Sequence, residues 1–257
     1  MWEIDWSKFV SVLLYDAKNP MFFSSGLFWF LFLAFSLVYG LLQKKTTLRL
    51  LFVTLFSYYF YYKSSGIYFV LLGVVTVTDF FLASRMYITS SPLKRKLLLF
   101  VSLLVNLGLL CYFKYTNFFY EMLAPLWNGE FHKLDIFLPV GISFFTFQSL
   151  SYTLDVYRKD LKPLNNLLDY AFFVSFFPQL VAGPIVRARD FIPQIRKPLL
   201  VTDEMFGRGV FFILIGLFKK AVISDYISIN FVERIFANPA LYSGVENLFG
   251  IYGYALQ

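Results

Sequence analysis

The stretch Met21–Leu42, MFFSSGLFWFLFLAFSLVYGLL, contains no charged residue, and its reading decides the class of the fold. As a helix it is long enough to cross roughly 30 Å of hydrocarbon. Lys44, Lys45 and Arg49 follow at once. A shorter run, Leu50–Tyr62, closes on Tyr58, Tyr59, Phe60, Tyr61 and Tyr62, an aromatic cluster of the kind that forms an interfacial belt. Gly66–Leu82 returns, with Asp79 near its end, and Arg85, Lys94, Arg95 and Lys96 crowd the next loop before Leu97–Phe113 crosses again. Residues 21–113 are therefore predicted to form four transmembrane spans. Composition agrees. Only 15% of the 257 residues are charged and 58% are hydrophobic, where a soluble domain carries about 25% charged residues. The 23 Lys+Arg and 16 Asp+Glu cluster, leaving runs that only lipid can solvate. A soluble enzyme, a disordered tail and a secreted disulfide scaffold are excluded. The single cysteine, Cys111, removes any disulfide framework or Cys-rich metal site. Net charge +7 reads as the bias of cytoplasmic loops, not as a nucleic-acid footprint.

The charge map gives an orientation. Residues 1–20 carry Glu3 and Asp5, so they lack the basic start of a signal peptide. Trp2, Trp6, Phe9, Val10, Leu13 and Leu14 recur at helical spacing, which predicts an amphipathic helix lying in the membrane interface and ended by Pro20. Lys44, Lys45 and Arg49 on one loop, and Arg85, Lys94, Arg95 and Lys96 on another, place those loops in the cytoplasm and the N-terminus outside. Residues 114–135 then form an extracytoplasmic interfacial segment.

Residues 136–257 are less regular. Ile136–Leu154 is predicted to span, although it contains Pro139, Gly141 and Gln148. Leu167–Ile185 is apolar but interrupted by Pro178, Gly183 and Pro184, and Arg187, Arg189, Asp190, Arg196 and Lys197 follow. Strict alternation would put that basic stretch outside, against the positive-inside rule. A re-entrant segment over Leu167–Ile185 resolves the conflict, because both of its flanks then stay on the cytoplasmic side. Such a break is tolerated at membrane depth only where it is buried in protein or lines a wet cavity. Phe206–Val222 forms a further span, and Val245–Gln257 begins an apolar helix that is cut in mid-element. The whole is all-α and polytopic, with six or seven hydrophobic helices, one of them re-entrant.

No conventional catalytic set is present. His132, with Glu130 and Asp135, has the residue types of a base and its orienting carboxylate, but it sits in a polar loop where a solvated histidine is the simpler reading. There is no P-loop, dinucleotide fingerprint, HExxH or Gly-x-Ser-x-Gly, and no metal site is expected. Polar residues inside apolar runs are the better clue. Asp79 lies within reach of Arg85 on a continuing helix, and Asn106 has the position of a residue that joins helices. The runs Leu138–Gln148 and Phe176–Arg187 carry helix breaks, glutamines at depth and arginines at the exit. Together they suggest a polar cavity for an anionic group, although kinked packing helices remain an alternative. Gln148, Pro178, Gln179, Gly183, Pro184, Arg187 and Arg189 are the candidate residues of this cavity and its exit.

On Asn106–Phe119 (NLGLLCYFKYTNFF), Leu138–Arg158 (LPVGISFFTFQSLSYTLDVYR) and Phe176–Ile195 (FFPQLVAGPIVRARDFIPQI), the chain resembles the membrane-bound O-acyltransferase family, in its bacterial alginate O-acetyltransferase-like branch. The resemblance implies a multi-pass enzyme of the bacterial inner membrane with a channel through it. It would transfer acetyl, from acetyl-CoA or another acyl thioester, to a hydroxyl of an exopolysaccharide or cell-wall glycan. It also implies partner proteins of a polysaccharide-modification system, no bound cofactor and no nucleic acid. The family's catalytic histidine belongs to a later His-Gly-type motif, and His132 is not in that context. The chain thus reads as the N-terminal half of a truncated fold, inactive alone. A lipid-linked glycan flippase and a non-catalytic membrane scaffold are the alternatives.

Overall fold

The computed structural model describes residues 11–23, 25–127, 132–180, 183–198 and 200–257, and among these the regular elements are all helical. They divide into two compact units, Met1–Pro198 and Leu199–Gln257. The interfacial helix expected over residues 1–20 falls largely outside the described residues.

The first unit opens with α1, Gly26–Leu41, whose N-cap Ser25 accepts the Phe28 N–H. α2, Thr46–Ser65, and α3, Phe69–Ile88, form a helical hairpin around Gly66–Tyr68. Gly66 permits the turn because its φ is +61° and a Cβ there would meet the Tyr15 ring at 2.8 Å. Across the hairpin the Tyr58 and Thr76 hydroxyls lie 3.2 Å apart. α4, Pro92–Leu110, starts on an N-cap Ser91 with proline in its first turn, and runs through a π turn, Cys111–Tyr115, into α5, Thr116–Leu123. The helix thus continues past the predicted end of the span at Phe113. A 3-10 turn at Ala124–Trp127 follows, and after it comes α6, Ile142–Arg158, which starts later than the predicted Ile136 because Gly141 sits at φ 75° as its N-cap. α7, Leu167–Ser175, a single turn at Phe177–Leu180, and α8, Ala188–Ile195, complete this unit. Two helical stretches among the described residues, Thr46–Ile88 and Pro92–Leu126, are long and apolar enough to cross a membrane, and Gly26–Leu41 is apolar but shorter.

Two cores hold this unit. α3, α4 and α6 pack on one another, and α7 lies against α2 and α3. Leu72, Val75, Phe145, Tyr152, Tyr170 and Phe173 are buried there. The second core is aromatic: Met21, Phe28, Phe35, Val53 and Phe60 surround Phe177. The Tyr58–Tyr62 cluster departs from the belt expected of it. Phe60 and Tyr61 are fully buried, Tyr58 bonds Thr76, and Tyr59 donates to the Leu13 carbonyl. Consecutive rings on a helix point all round it, and here the neighbouring helices and the segment before α1 cover most of them.

The second unit contains α9, Asp203–Phe218, capped by Thr202, which continues through π turns toward α10, Glu233–Ala237. α11, Gly244–Leu256, begins with a reciprocal capping box between Ser243 and Glu246. Its Gly250 and Gly253 face Ile235 and Val232.

Candidate functional site

The site is built around the break between α7 and α8. α7 stops at Ser175, before Pro178, because Phe176 leaves helical geometry at ψ 106°. A broken helix releases backbone groups that must find partners when buried. Gln148 of α6, itself buried, donates through Nε2 to the Phe173 carbonyl at 2.6 Å and lies 3.4 Å from Gln179 Oε1. Ser57 of α2 accepts the Phe177 N–H at 3.2 Å while donating to the Val53 carbonyl at 2.7 Å. The Phe176 carbonyl takes the N–H groups of Gln179 and Leu180. The Phe173 and Phe176 carbonyls and the Phe177 N–H, released at the break, are therefore all partnered. Its tip is anchored by Phe177, whose ring meets those of Phe28, Phe32, Phe35, Phe56 and Phe60.

Gly183 closes the turn. Its N–H donates to the Gln179 carbonyl at 3.1 Å, and an added Cβ would sit 2.4 Å from Gln179 Cα. Only glycine lets the return leg approach this closely. The two ends of the excursion are then tied together: Arg196, just after α8, forks onto Asp169 in the first turn of α7 at 2.7 and 2.8 Å. This bond raises the Arg196 pKa above its ordinary value. Arg49 of α2 donates to the Lys197 carbonyl at 3.3 Å and to Gln43, while Arg95 of α4 donates to the Tyr157 carbonyl. Hence residues 43–49, 95, 157 and 196–197 lie at the same end of the unit, the end where the bases gather.

Arg187 and Arg189 stand exposed at this end, Arg187 as the N-cap of α8 and Arg189 3.8 Å from Asp190. Asp155, just past the predicted span Ile136–Leu154, faces them. Burial pushes its carboxyl above the usual range, Asp160 adds to that, and Arg189, Arg158 and Arg187 pull against it. Pro178 and Pro184 are exposed, and Gln179 and Gly183 are half-buried. The structure thus brings Gln148, Pro178, Gln179 and Gly183 together at the break. Pro184 lies on the return leg, and Arg187 and Arg189 lie at its exit.

A second polar cluster escaped the sequence reading. Asp79 of α3 is fully buried and accepts from Ser102 Oγ and Asn106 Nδ2 of α4, each at 2.6 Å, and from Ser149 Oγ of α6. Ser149 in turn lies 2.6 Å from the Tyr170 hydroxyl of α7. The expected Asp79–Arg85 partnership does not form, because Asp79 points into the helix junction while Arg85 is exposed. Asn106 does join helices. Buried hydroxyls of Thr54, Tyr61, Thr146, Thr153 and Ser175 have no hydrogen-bond partner among the described residues. They lie on α2, α6 and α7. Glu130 lies outside the described residues, and His132 and Asp135 are exposed.

Comparison with known proteins bears on this geometry. A peptidoglycan O-acetyltransferase of Helicobacter pylori is 34% identical over 235 residues, covering 80% of this chain and 45% of its own length. A probable alginate O-acetylase of Pseudomonas aeruginosa is 35% identical over 216 residues, 81% of this chain and 41% of its own. The chain is a relative of the membrane-bound O-acyltransferases. A teichoic acid D-alanyltransferase of Bacillus subtilis is 31% identical over 132 residues, 49% of this chain and 31% of its own. No family model and no solved structure matches. This acyltransferase relative spans less than half the length of the curated proteins it matches.

Proposed function

We propose that the chain forms part of a membrane O-acyltransferase that moves an acyl group, acetyl in the simplest case, to a hydroxyl of an extracytoplasmic polysaccharide. The observation that carries the reading is the 34% identity to a peptidoglycan O-acetyltransferase over 80% of the chain. The acyl donor is acetyl-CoA or another acyl thioester, and the acceptor is an exopolysaccharide or cell-wall glycan presented with partner proteins. The chain spans less than half of its relatives' length, so the activity is proposed for the whole protein. The acyl-transfer base is assigned to the length that these residues do not cover, and residues 1–257 alone are expected to be inactive.

In this reading the protein is multi-pass in a bacterial inner membrane, with the N-terminus outside, and Leu167–Ile185 is re-entrant. The Asp169–Arg196 fork joins the two flanks and the Arg49 bond ties Lys197 to the start of α2, and both support the re-entrant geometry. Gln148 and Gln179 mark the polar route for the reactants. Pro178, Gly183 and Pro184 hold the break open, and Arg187 and Arg189 receive the anionic donor. The test is the ester-linked acetate on exported polysaccharide in cells with the intact gene, in deletion cells, and in cells expressing residues 1–257 alone. Acetate is expected only with the intact gene. Unchanged acetate after deletion, in a strain without a second acetyltransferase, refutes the function.

A further inference from the structure

A pocket of about 520 Å³ opens between the end of α3 and the α6–α7 connection, and none of the residues at the break lines it. Its polar lining includes Arg85, Lys162, Ser84 and Asn165, and Tyr87 and Leu164 belong to its apolar wall. No carboxylate lines it. Three other bases at this end have protein partners, Arg49 and Arg95 on backbone carbonyls and Arg196 on Asp169, while Lys94, Lys96 and Arg187 are exposed outside the pocket. Arg85 and Lys162 are exposed and make neither an ion pair within 4.0 Å nor a side-chain hydrogen bond among the described residues. What sets Arg85 and Lys162 apart is that both line one cavity with no acid in it, which suits an anion. The cavity also opens onto apolar surface, since Phe81 is 56% and Ile88 70% exposed on α3. An occupant must therefore offer a negative headgroup and a hydrocarbon tail together.

We propose that this pocket binds the phosphodiester headgroup of an anionic phospholipid, with Arg85 and Lys162 on the phosphate, Asn165 as a neutral donor and an acyl chain along the exposed face of α3. Basic pockets between helices at the cytoplasmic boundary recognise such lipids. The assignment rests on the membrane reading above and goes beyond it, because nothing in acyl transfer requires this pocket.

The test uses the full-length protein, extracted from membranes and placed in nanodiscs of phosphatidylcholine with or without phosphatidylglycerol. Retained lipid is counted by native mass spectrometry. Each cation facing an anionic headgroup contributes roughly fivefold in affinity. The double variant Arg85→Gln/Lys162→Gln is therefore expected to bind phosphatidylglycerol about thirtyfold more weakly. The control Lys94→Gln/Lys96→Gln, exposed at the same end but outside the pocket, is expected to change binding less than threefold. Neither pocket side chain makes a structural bond, so thermal unfolding of the variant should match wild type. Equal retention of the two lipids, or an equal loss in the control, overturns the proposal. Displacement of the lipid by soluble coenzyme A or inorganic phosphate also overturns it, by showing that the site takes a water-soluble phosphate. If the protein is absent from the membrane fraction, the membrane reading itself has failed, and that is seen before any lipid is counted.

Discussion

Asp79→Ala tests whether one buried carboxylate joins α3 to α4 and α6. The change removes the acceptor of Ser102 Oγ–H and Asn106 Nδ2–H, both at 2.6 Å, and of Ser149 Oγ–H. A buried donor left unpaired costs about 1–3 kcal/mol, so three would cost about 3–9 kcal/mol in full. Much of that is recovered. Asn106 keeps its bond to the Ser102 carbonyl at 3.0 Å, Ser149 keeps Tyr170 at 2.6 Å, and Ser102 can turn to a carbonyl one helical turn back. Removing the carboxylate also relieves its own desolvation, and hydrogen bonds between membrane helices average only about 0.6 kcal/mol. The net loss expected is about 2 kcal/mol. Unfolding of the full-length protein in mixed micelles, followed by circular dichroism, measures it, with Ser36→Ala as control because that hydroxyl bonds only Phe32 of its own helix. The control should fall within about 0.5 kcal/mol of wild type. A double-mutant cycle with Asn106→Ala should give a coupling of about 1 kcal/mol. Additivity within about 0.3 kcal/mol, or an Asp79→Ala loss no larger than the control's, refutes the role given to Asp79.

Gly183→Ala forces a Cβ to within 2.4 Å of Gln179 Cα, and an overpacked site of this kind costs about 1–3 kcal/mol. Unfolding measurements should show that loss together with reduced acetate on exported polysaccharide. Phe177→Ala empties the aromatic core at the tip of the break and is expected to destabilise by about 3–5 kcal/mol. Phe177→Leu should recover part of this. Ser243→Ala removes the capping box of α11 and should cost about 1 kcal/mol, read as earlier hydrogen exchange of the Glu246 amide.

How much of this was legible in the sequence depended on whether a feature is local. Pro178, Gly183 and Pro184 announced the break because closely spaced prolines interrupt a continuing helix and glycine permits a close backbone approach. The basic stretch 187–197 exposed the topological conflict through charge alone. What residues 148, 57 and 177 do for one another was out of reach. Gln148 and Ser57 serve backbone groups 25 and 120 positions away, and nothing in their own neighbourhoods marks them for it. Asp79 failed for the same reason. Arg85 is a near neighbour along the helix, whereas its real partners, Ser102, Asn106 and Ser149, lie up to 70 residues on. The tyrosine-rich run at 58–62 misled because aromatic composition is common to interfacial belts and packed cores. Only the neighbouring helices distinguish the two.

The central claim, a segment that leaves and re-enters on one side of a membrane acyltransferase, is tested most directly by cysteine accessibility. With the exposed Cys111 changed to serine, single cysteines at Lys44, Ile67 and Arg189 are treated with a membrane-impermeant maleimide in intact cells lacking an outer-membrane barrier. The account predicts that position 67, at the tip of the α2–α3 hairpin, is labelled directly, while positions 44 and 189 are labelled only after permeabilisation. Labelling of position 189 together with 67, and not with 44, would contradict it.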